Sequence, residues 1–267
     1  MPNTNPTPPE HPPIRGATPP GLYGFEDETG EPVVGGEAVI PLLELIESRR
    51  YQLIGTGFFI TSSGVFATAK HVLIAAHERG HSIFTWQLIP QNQWLIRPVL
   101  QFSYHDTADV AIGIPSQAIH KETGERLIDT RVRLTTRVHA VGDLVATYAY
   151  PDTIIQATEE GQVLSFNPQF YEGRIIEYLP NGRDSVMLPG PCYRTDMVIH
   201  HGASGGPVAG PSGRVFGINS TGFDGTDDFY ISRIDELLSL EIVVEQDRGE
   251  SITIQQLAER GAVIIDP

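Results

Sequence analysis

The chain is 267 residues long, with 33 acidic against 18 basic residues and a formal net charge of −15. Such a surface repels nucleic acid and anionic membranes, and no basic stripe with interleaved aromatics runs anywhere in the chain, so polyanion partners are excluded. Cys192 is the single cysteine and rules out an internal disulfide; with no secretory leader and no apolar stretch of about 18 residues, the expectation is a cytoplasmic protein.

In chain order, residues 1–32 read as a flexible, partly extended tail, since Met1 to Pro20 holds eight prolines and few large apolar side chains. Val33-Val34-Gly35-Gly36 reads as the start of a strand with a glycine turn. Short strands between turn signals are then predicted at 38–46, 53–60, 64–68, 83–88, 94–102 and 110–114. After a polar connector at 120–129, further strands are predicted at 131–134, 144–150, 161–166, 171–178, 185–188, 214–220 and 229–231. Residues 234–240 and 254–261 read as helical, and 262–265 as a closing strand. Many short strands at this spacing point to an all-β architecture with short helices near the C-terminus. The chain divides into the tail, a first unit at 33–135, a second at 136–240 and an extension at 241–267 to which the sequence gives no role.

Chemistry concentrates in Gly202-Ala203-Ser204-Gly205-Gly206-Pro207, where a serine in a glycine-rich turn can present its hydroxyl and backbone N–H groups to one substrate atom. Ser204 is the candidate nucleophile, and the N–H groups of Gly202 and Ser204 are the candidate oxyanion donors; an ordinary Gly-Pro turn is the plainer reading. A serine hydroxyl needs a histidine base, and the histidine needs an acid to orient it. His71 stands where the predicted strand 64–68 gives way to a helical turn, and Asp109 stands immediately before the apolar run Val110-Ala111-Ile112. Asp106, three positions earlier among polar residues, reads as solvated loop. The order decides between folds: all nine histidines lie at or before His201, so the G-x-S-x-G arrangement in which acid and histidine follow the serine cannot be built.

A rival motif is His77-Glu78-Arg79-Gly80-His81, an H-E-x-x-H match in which two histidines one helical turn apart would bind zinc. Gly80 interrupts the helix this needs, and strand-like sequence resumes at Ser82. His200-His201 reads as a pair of loop histidines beside a substrate cleft, because consecutive side chains point apart. Cys192, without a neighbouring base, reads as a packing residue.

Through Thr68-Ala69-Lys70-His71, Asp109-Val110-Ala111-Ile112 and Gly202 to Pro207, the chain resembles the chymotrypsin-like (trypsin-like) serine peptidases over roughly residues 36–238. Within them it is most similar to the bacterial high-temperature-requirement proteases, on Thr195-Asp196 and Gly217-Ile218-Asn219-Ser220. The resemblance implies two antiparallel six-stranded β-barrels, with His71 and Asp109 on the first and Ser204 on the second. It implies a polypeptide substrate that pairs with Ser220-Thr221-Gly222, a first specificity pocket floored by Val198 and lined near Asp228, and no metal or organic cofactor. Two departures stand out. Ala203 occupies the place of the aspartate that secreted members use for activation, and Pro32 rather than a basic residue precedes Val33. Control by ordering of the loop before the nucleophile, by assembly or by a regulatory protein partner is therefore expected. The function expected is a serine endopeptidase; the alternatives are an inert peptide- or protein-binding module of the same fold and a zinc peptidase through His77, Glu78 and His81.

Overall fold

The computed structural model describes residues 24–267 apart from 28, 34, 48–49, 90–92, 152, 159–160, 223–227 and 244–249. Of the tail predicted at 1–32, residues 1–23 lie outside the described residues, as does Val34; the end of that stretch is no free tail, because Phe25–Glu26 pairs with Pro32–Val33 and Phe25 is buried.

Six strands close the first barrel: β1 (Val39–Glu47), β2 (Arg50–Phe59), β3 (Phe66–Thr68), β4 (Ser82–Ile89), β5 (Gln93–Tyr104) and β6 (Ala111–Pro115). They pair antiparallel in the order β1-β2-β3-β6-β5-β4, with β4 returning to β1. Closure leaves no unpaired edge, which suits strands rich in branched and aromatic residues that would otherwise recruit other chains. Ile40, Leu42, Phe58, Phe59, Phe66 and Ile112 are fully buried and fill the interior. Between β3 and β4 runs the helix α1 (Lys70–Glu78), which buries Val72, Leu73 and Ala76. It is longer than the single turn the sequence suggests at His71.

A buried ion pair ties the barrel to the connector that leaves it. Arg97 on β5 and Asp129 are joined by two parallel bonds of 3.0 and 2.9 Å, Arg97 also donates to Gln87 at 2.8 Å, and the guanidinium lies 5.1 Å from the Phe59 ring. Both side chains are all but excluded from solvent.

The second barrel comprises β7 (Leu144–Ala149), β8 (Gln169–Leu179), β9 (Cys192–Thr195), β10 (Pro207–Ala209), β11 (Val215–Gly222) and β12 (Phe229–Arg233). The order β10-β7-β8-β9-β12-β11 closes through pairing of β10 with β11. Its own cluster of Val145, Ile175, Tyr193, Met197, Val208, Phe216 and Ile231 is buried. Two closed six-stranded barrels with few short helices match the predicted fold class.

The strand predicted at 185–188 is absent. Asp184 instead accepts the N–H groups of Val186 and Met187 at 2.8 and 2.6 Å, an Asx-type turn that satisfies locally the backbone a sheet would have used. The neighbour of β8 is Cys192–Thr195, in register Leu179 to Cys192. The predicted strand 161–166 is the second arm of a hairpin, Ile154–Thr158 with Gly161–Ser165. That hairpin reaches the first barrel, where the Gln162 side chain bonds the backbone of Tyr51. At the C-terminus, Ile265–Asp266 runs parallel to Leu134–Thr135, and Asp266 holds Arg133 and Arg214. Among the described residues no helix is long and apolar enough to cross a membrane.

Candidate active site between the barrels

His71 is the second residue of α1. Ala69, at the helix N-cap, offers no capping side chain, and the first-turn N–H groups need acceptors from elsewhere. Asp109 supplies one: its Oδ1 accepts the His71 backbone N–H at 3.0 Å. The same carboxylate meets His71 Nδ1 at 3.1 and 2.9 Å. A carboxylate can only accept here, so Nδ1 carries a proton, and in the neutral ring Nε2 keeps its lone pair. One acid therefore fixes helix start, ring orientation and tautomer together.

Asp109 is held in turn. Its side chain is 10% exposed against 48% for His71. The preceding loop is braced by Lys70, whose Nζ donates to the carbonyls of His105 and Asp106 at 2.8 Å each. His105 Nδ1 accepts the Ala108 N–H at 2.9 Å, and its Nε2 lies 3.4 Å from Glu236. Asp106 contributes its backbone carbonyl to this bracing and remains exposed, as its polar setting suggests.

Burial, the largest single influence on His71, favours its neutral form, but the hydrogen bond and charge of Asp109 together outweigh it and hold the pKa above the ordinary 6.5.

Ser204 approaches from the second barrel. Its backbone carbonyl accepts the Thr56 N–H at 2.8 Å, joining the turn to β2. The Ser204 hydroxyl donates to the Ser220 carbonyl at 3.1 Å. The Ser220 hydroxyl donates to Asp109 Oδ2, so one residue of β11 touches both the acid and the serine. Gly202 has φ +91° in a turn closed by the Ala203 N–H to the His200 carbonyl at 3.1 Å, the geometry of a type II turn that a Cβ would strain. Gly205, at φ +87°, packs so tightly on Thr56 and Thr68 that an added Cβ would fall far inside van der Waals contact. Among the described residues the N–H groups of Gly202 and Ser204 have no acceptor.

The structure thus brings His71, Asp109, Ser204, Gly202 and Ser220 to one seam between the barrels. Thr221 and Gly222 continue β11 from Ser220. Val198 is half exposed in the loop between β9 and the serine turn. The Asp228 carboxylate takes Arg194 at 3.0 Å, and Arg194 also meets Glu177 at 3.2 Å. Arg194 on β9 is thus shared between two carboxylates, Asp228 just before β12 and Glu177 on β8.

The zinc geometry is not met. Helix α1 ends at Glu78, so His77 and His81 do not share a helical face; His77 packs edge-on to Phe102, and His81 Nδ1 sits 2.9 Å from Glu44. His200 lies against the Tyr171 ring and His201 is exposed. Cys192 is buried, and burial pushes its thiol up to about 11, which keeps it protonated and unreactive near neutral pH. The sequence does not announce Thr56, Lys70 or the contact of Ser220 with Asp109. The two glycines around Thr56 are the one hint that a backbone passes closely there.

Residues 55–218 match a family model described as a trypsin-like peptidase domain. No curated protein matches the chain by sequence. Among solved structures, the crystal structure of Deg5 superposes with a TM-score of 0.53 at 16% identity, over 75% of this chain and 85% of that one. The Rv3671c protease in its inactive form gives 0.50 at 20% identity, over 75% and 85%. Rv3671c from M. tuberculosis H37Rv, a mutant also in inactive form, gives 0.51 at 20%, over 75% and 83%. At those identities the likeness concerns the fold, and the family assignment rests on the model match: this chain belongs to the trypsin-like peptidase domain family.

Proposed function

We propose that the protein is a serine endopeptidase in which Ser204 is the nucleophile, His71 the general base and acid, and Asp109 the orienting acid. Ser204 Oγ turns from the Ser220 carbonyl toward His71, gives its proton to Nε2 and bonds to the scissile carbonyl carbon. The carbonyl oxygen takes up the negative charge between the N–H groups of Gly202 and Ser204. Collapse breaks the C–N bond, and His71 returns the proton to the leaving amine. Water then attacks the acyl-enzyme with His71 again as base, releasing the acid and restoring Ser204. The observation that carries this reading is Ser220, which ties the serine and the acid to one residue of β11.

The reading of an inert peptide-binding module draws on one contact: the serine hydroxyl rests on a carbonyl rather than on the imidazole. Catalytic hydrogen bonds of unliganded enzymes commonly tighten only with substrate, so this contact is compatible with the enzyme. With Val198 at the proposed pocket floor and Asp228 bonded to Arg194, small or apolar residues are the proposed preference before the cut. The test is digestion of an unfolded protein with the new C-termini read by mass spectrometry. The native chain is expected to cut after such residues and Ser204→Ala to leave the protein whole; equal cutting by both would defeat the proposal.

The pH dependence has a definite sign. The base must be neutral to act, so kcat/KM is expected to fall as pH drops through a midpoint above 6.5. In Asp109→Asn the hydrogen bond to a charged acceptor and the charge itself are both lost, and the His71 ring is expected to titrate at lower pH, followed by NMR of its ring protons. A raised value also means that the folded chain holds the imidazolium better than the unfolded chain does. The pair therefore stabilises the fold below 6.5 and ceases to do so as pH rises through the folded midpoint. A native midpoint at or below 6.5 would contradict the account.

A further inference from the structure

We infer that Thr56 is a positioning residue whose hydroxyl, reaching from the first barrel, holds the Gly202–Ser204 turn in the form that presents two N–H donors to the cleft; this rests on the peptidase reading above. Thr56 is fully buried at the seam. Its Oγ1 donates to the Gly202 carbonyl at 2.7 Å and accepts the Tyr150 N–H at 3.2 Å. Its backbone N–H donates to the Ser204 carbonyl at 2.8 Å, and its own carbonyl accepts from the Thr68 hydroxyl at 2.7 Å. Every hydrogen-bonding group of this residue is engaged.

The consequence follows from peptide planarity. In a trans peptide the C=O and N–H point in opposite directions, so fixing one aims the other. The Ala203 carbonyl is tied by Asn219 Nδ2 at 3.3 Å and by the Gly206 N–H at 3.0 Å, which sends the Ser204 N–H the opposite way. The Gly202 carbonyl is tied by the Thr56 hydroxyl, which directs the Ala203 N–H to the His200 carbonyl and sets the peptide that follows Gly202. The carbonyls of Gly202, Ala203 and Ser204 are thus anchored, which aims the Ser204 N–H directly. The Gly202 N–H belongs to the preceding peptide and is set through the turn that the Thr56-held Gly202–Ala203 peptide closes on His200, and both N–H groups meet no acceptor among the described residues. Glycine at φ +91° has no side chain to resist a flip of that peptide, so the anchor has to come from outside the turn. Ala203 is buried and carries no carboxylate that an activating partner could grip, and the anchor the structure does offer is the hydroxyl of Thr56.

The experiment compares Thr56→Val, which keeps the branched shape and loses the hydroxyl, with Thr56→Ser, which keeps the hydroxyl. Three quantities are read on the full chain: the rate of fluorophosphonate labelling at Ser204, kcat and KM on one peptide, and amide hydrogen exchange over residues 199–206. In Thr56→Val, labelling and kcat are expected to fall about 10- to 100-fold with KM held within about threefold, since donors aimed at the developing oxyanion act on the transition state. Exchange over 199–206 is expected to quicken while the segments around His71 and Asp109 keep native protection, and Thr56→Ser is expected to restore all three readings. A Thr56→Val chain that labels and exchanges like the native one would overturn the inference, and so would a Thr56→Ser chain as impaired as Thr56→Val, because shape and not the hydroxyl would then matter. If Thr56→Val does not fold, Thr56→Ala against Thr56→Ser carries the same comparison. If the native chain takes no label at all, the peptidase reading fails by itself, and the exchange comparison still decides what Thr56 holds.

Discussion

Replacing His71 by alanine is expected to slow acylation of Ser204 by about 10⁴- to 10⁶-fold, the range seen when the base of a serine–histidine–acid set is removed, while changing thermal unfolding little. The two halves of that expectation have different causes. The ring is half exposed and its polar partner is Asp109, so its loss opens no cavity. Helix α1 is anchored by Val72, Leu73 and Ala76, which the substitution leaves in place. The proposed chemistry, in contrast, loses its acceptor for the serine proton, and a hydroxyl at its ordinary pKa is a poor nucleophile. Stopped-flow or timed labelling, together with a melting curve, reads both. A fall of less than about tenfold would mean that another group serves as base, because the oxyanion donors alone leave only a small residue of the full rate.

Removing the Asp129 carboxylate as Asp129→Ala is expected to have the opposite profile, a loss of about 3–5 kcal/mol of stability with the site's chemistry intact in whatever fraction stays folded. Arg97 would keep its burial, its bond to Gln87 and its place over Phe59, but its charge would have lost the one carboxylate that meets it among the described residues. For a chain of this size that loss corresponds to a melting temperature lower by about 10 °C. The double replacement Arg97→Met with Asp129→Leu tests the cause. Well-packed apolar residues in place of a buried pair are commonly neutral, so the double variant is expected to recover most of the stability that the single one loses. A single variant that melts within about 1 °C of the native chain would show that the charge stays hydrated or paired elsewhere.

What the sequence discloses, and what it hides, tracks the distance over which each feature is decided. The barrel strands are legible because short apolar runs between turn signals, and the alternation along β4, are local consequences of burial. Asp109 is legible for the same reason: the apolar run after it marks a buried strand, and a carboxylate at its start is held in place. The strand at Cys192–Thr195 is hidden because four residues with a central Tyr193-Arg194 give no pattern, while Val186-Met187-Leu188 give a false one that Asp184 overrides by capping its own turn. The Arg97–Asp129 pair spans a strand and what reads as a polar connector, and nothing local to either residue predicts the other. The hold of Thr56 on Gly202 crosses 146 residues and two barrels, and it exists only once both have closed. The bond of Asp228 to Arg194 is hidden in the same way, since 34 residues separate the two and nothing local to either announces it.

The most direct measurement is labelling of the purified chain with a fluorophosphonate, followed by mass mapping of the modified peptide. One phosphonylated residue at Ser204, absent in Ser204→Ala and slowed by orders of magnitude in His71→Ala, is the result predicted by a serine, an imidazole and an acid working across the barrel seam. A native chain that remains unlabelled across the pH range, or a label on a different serine, would contradict it.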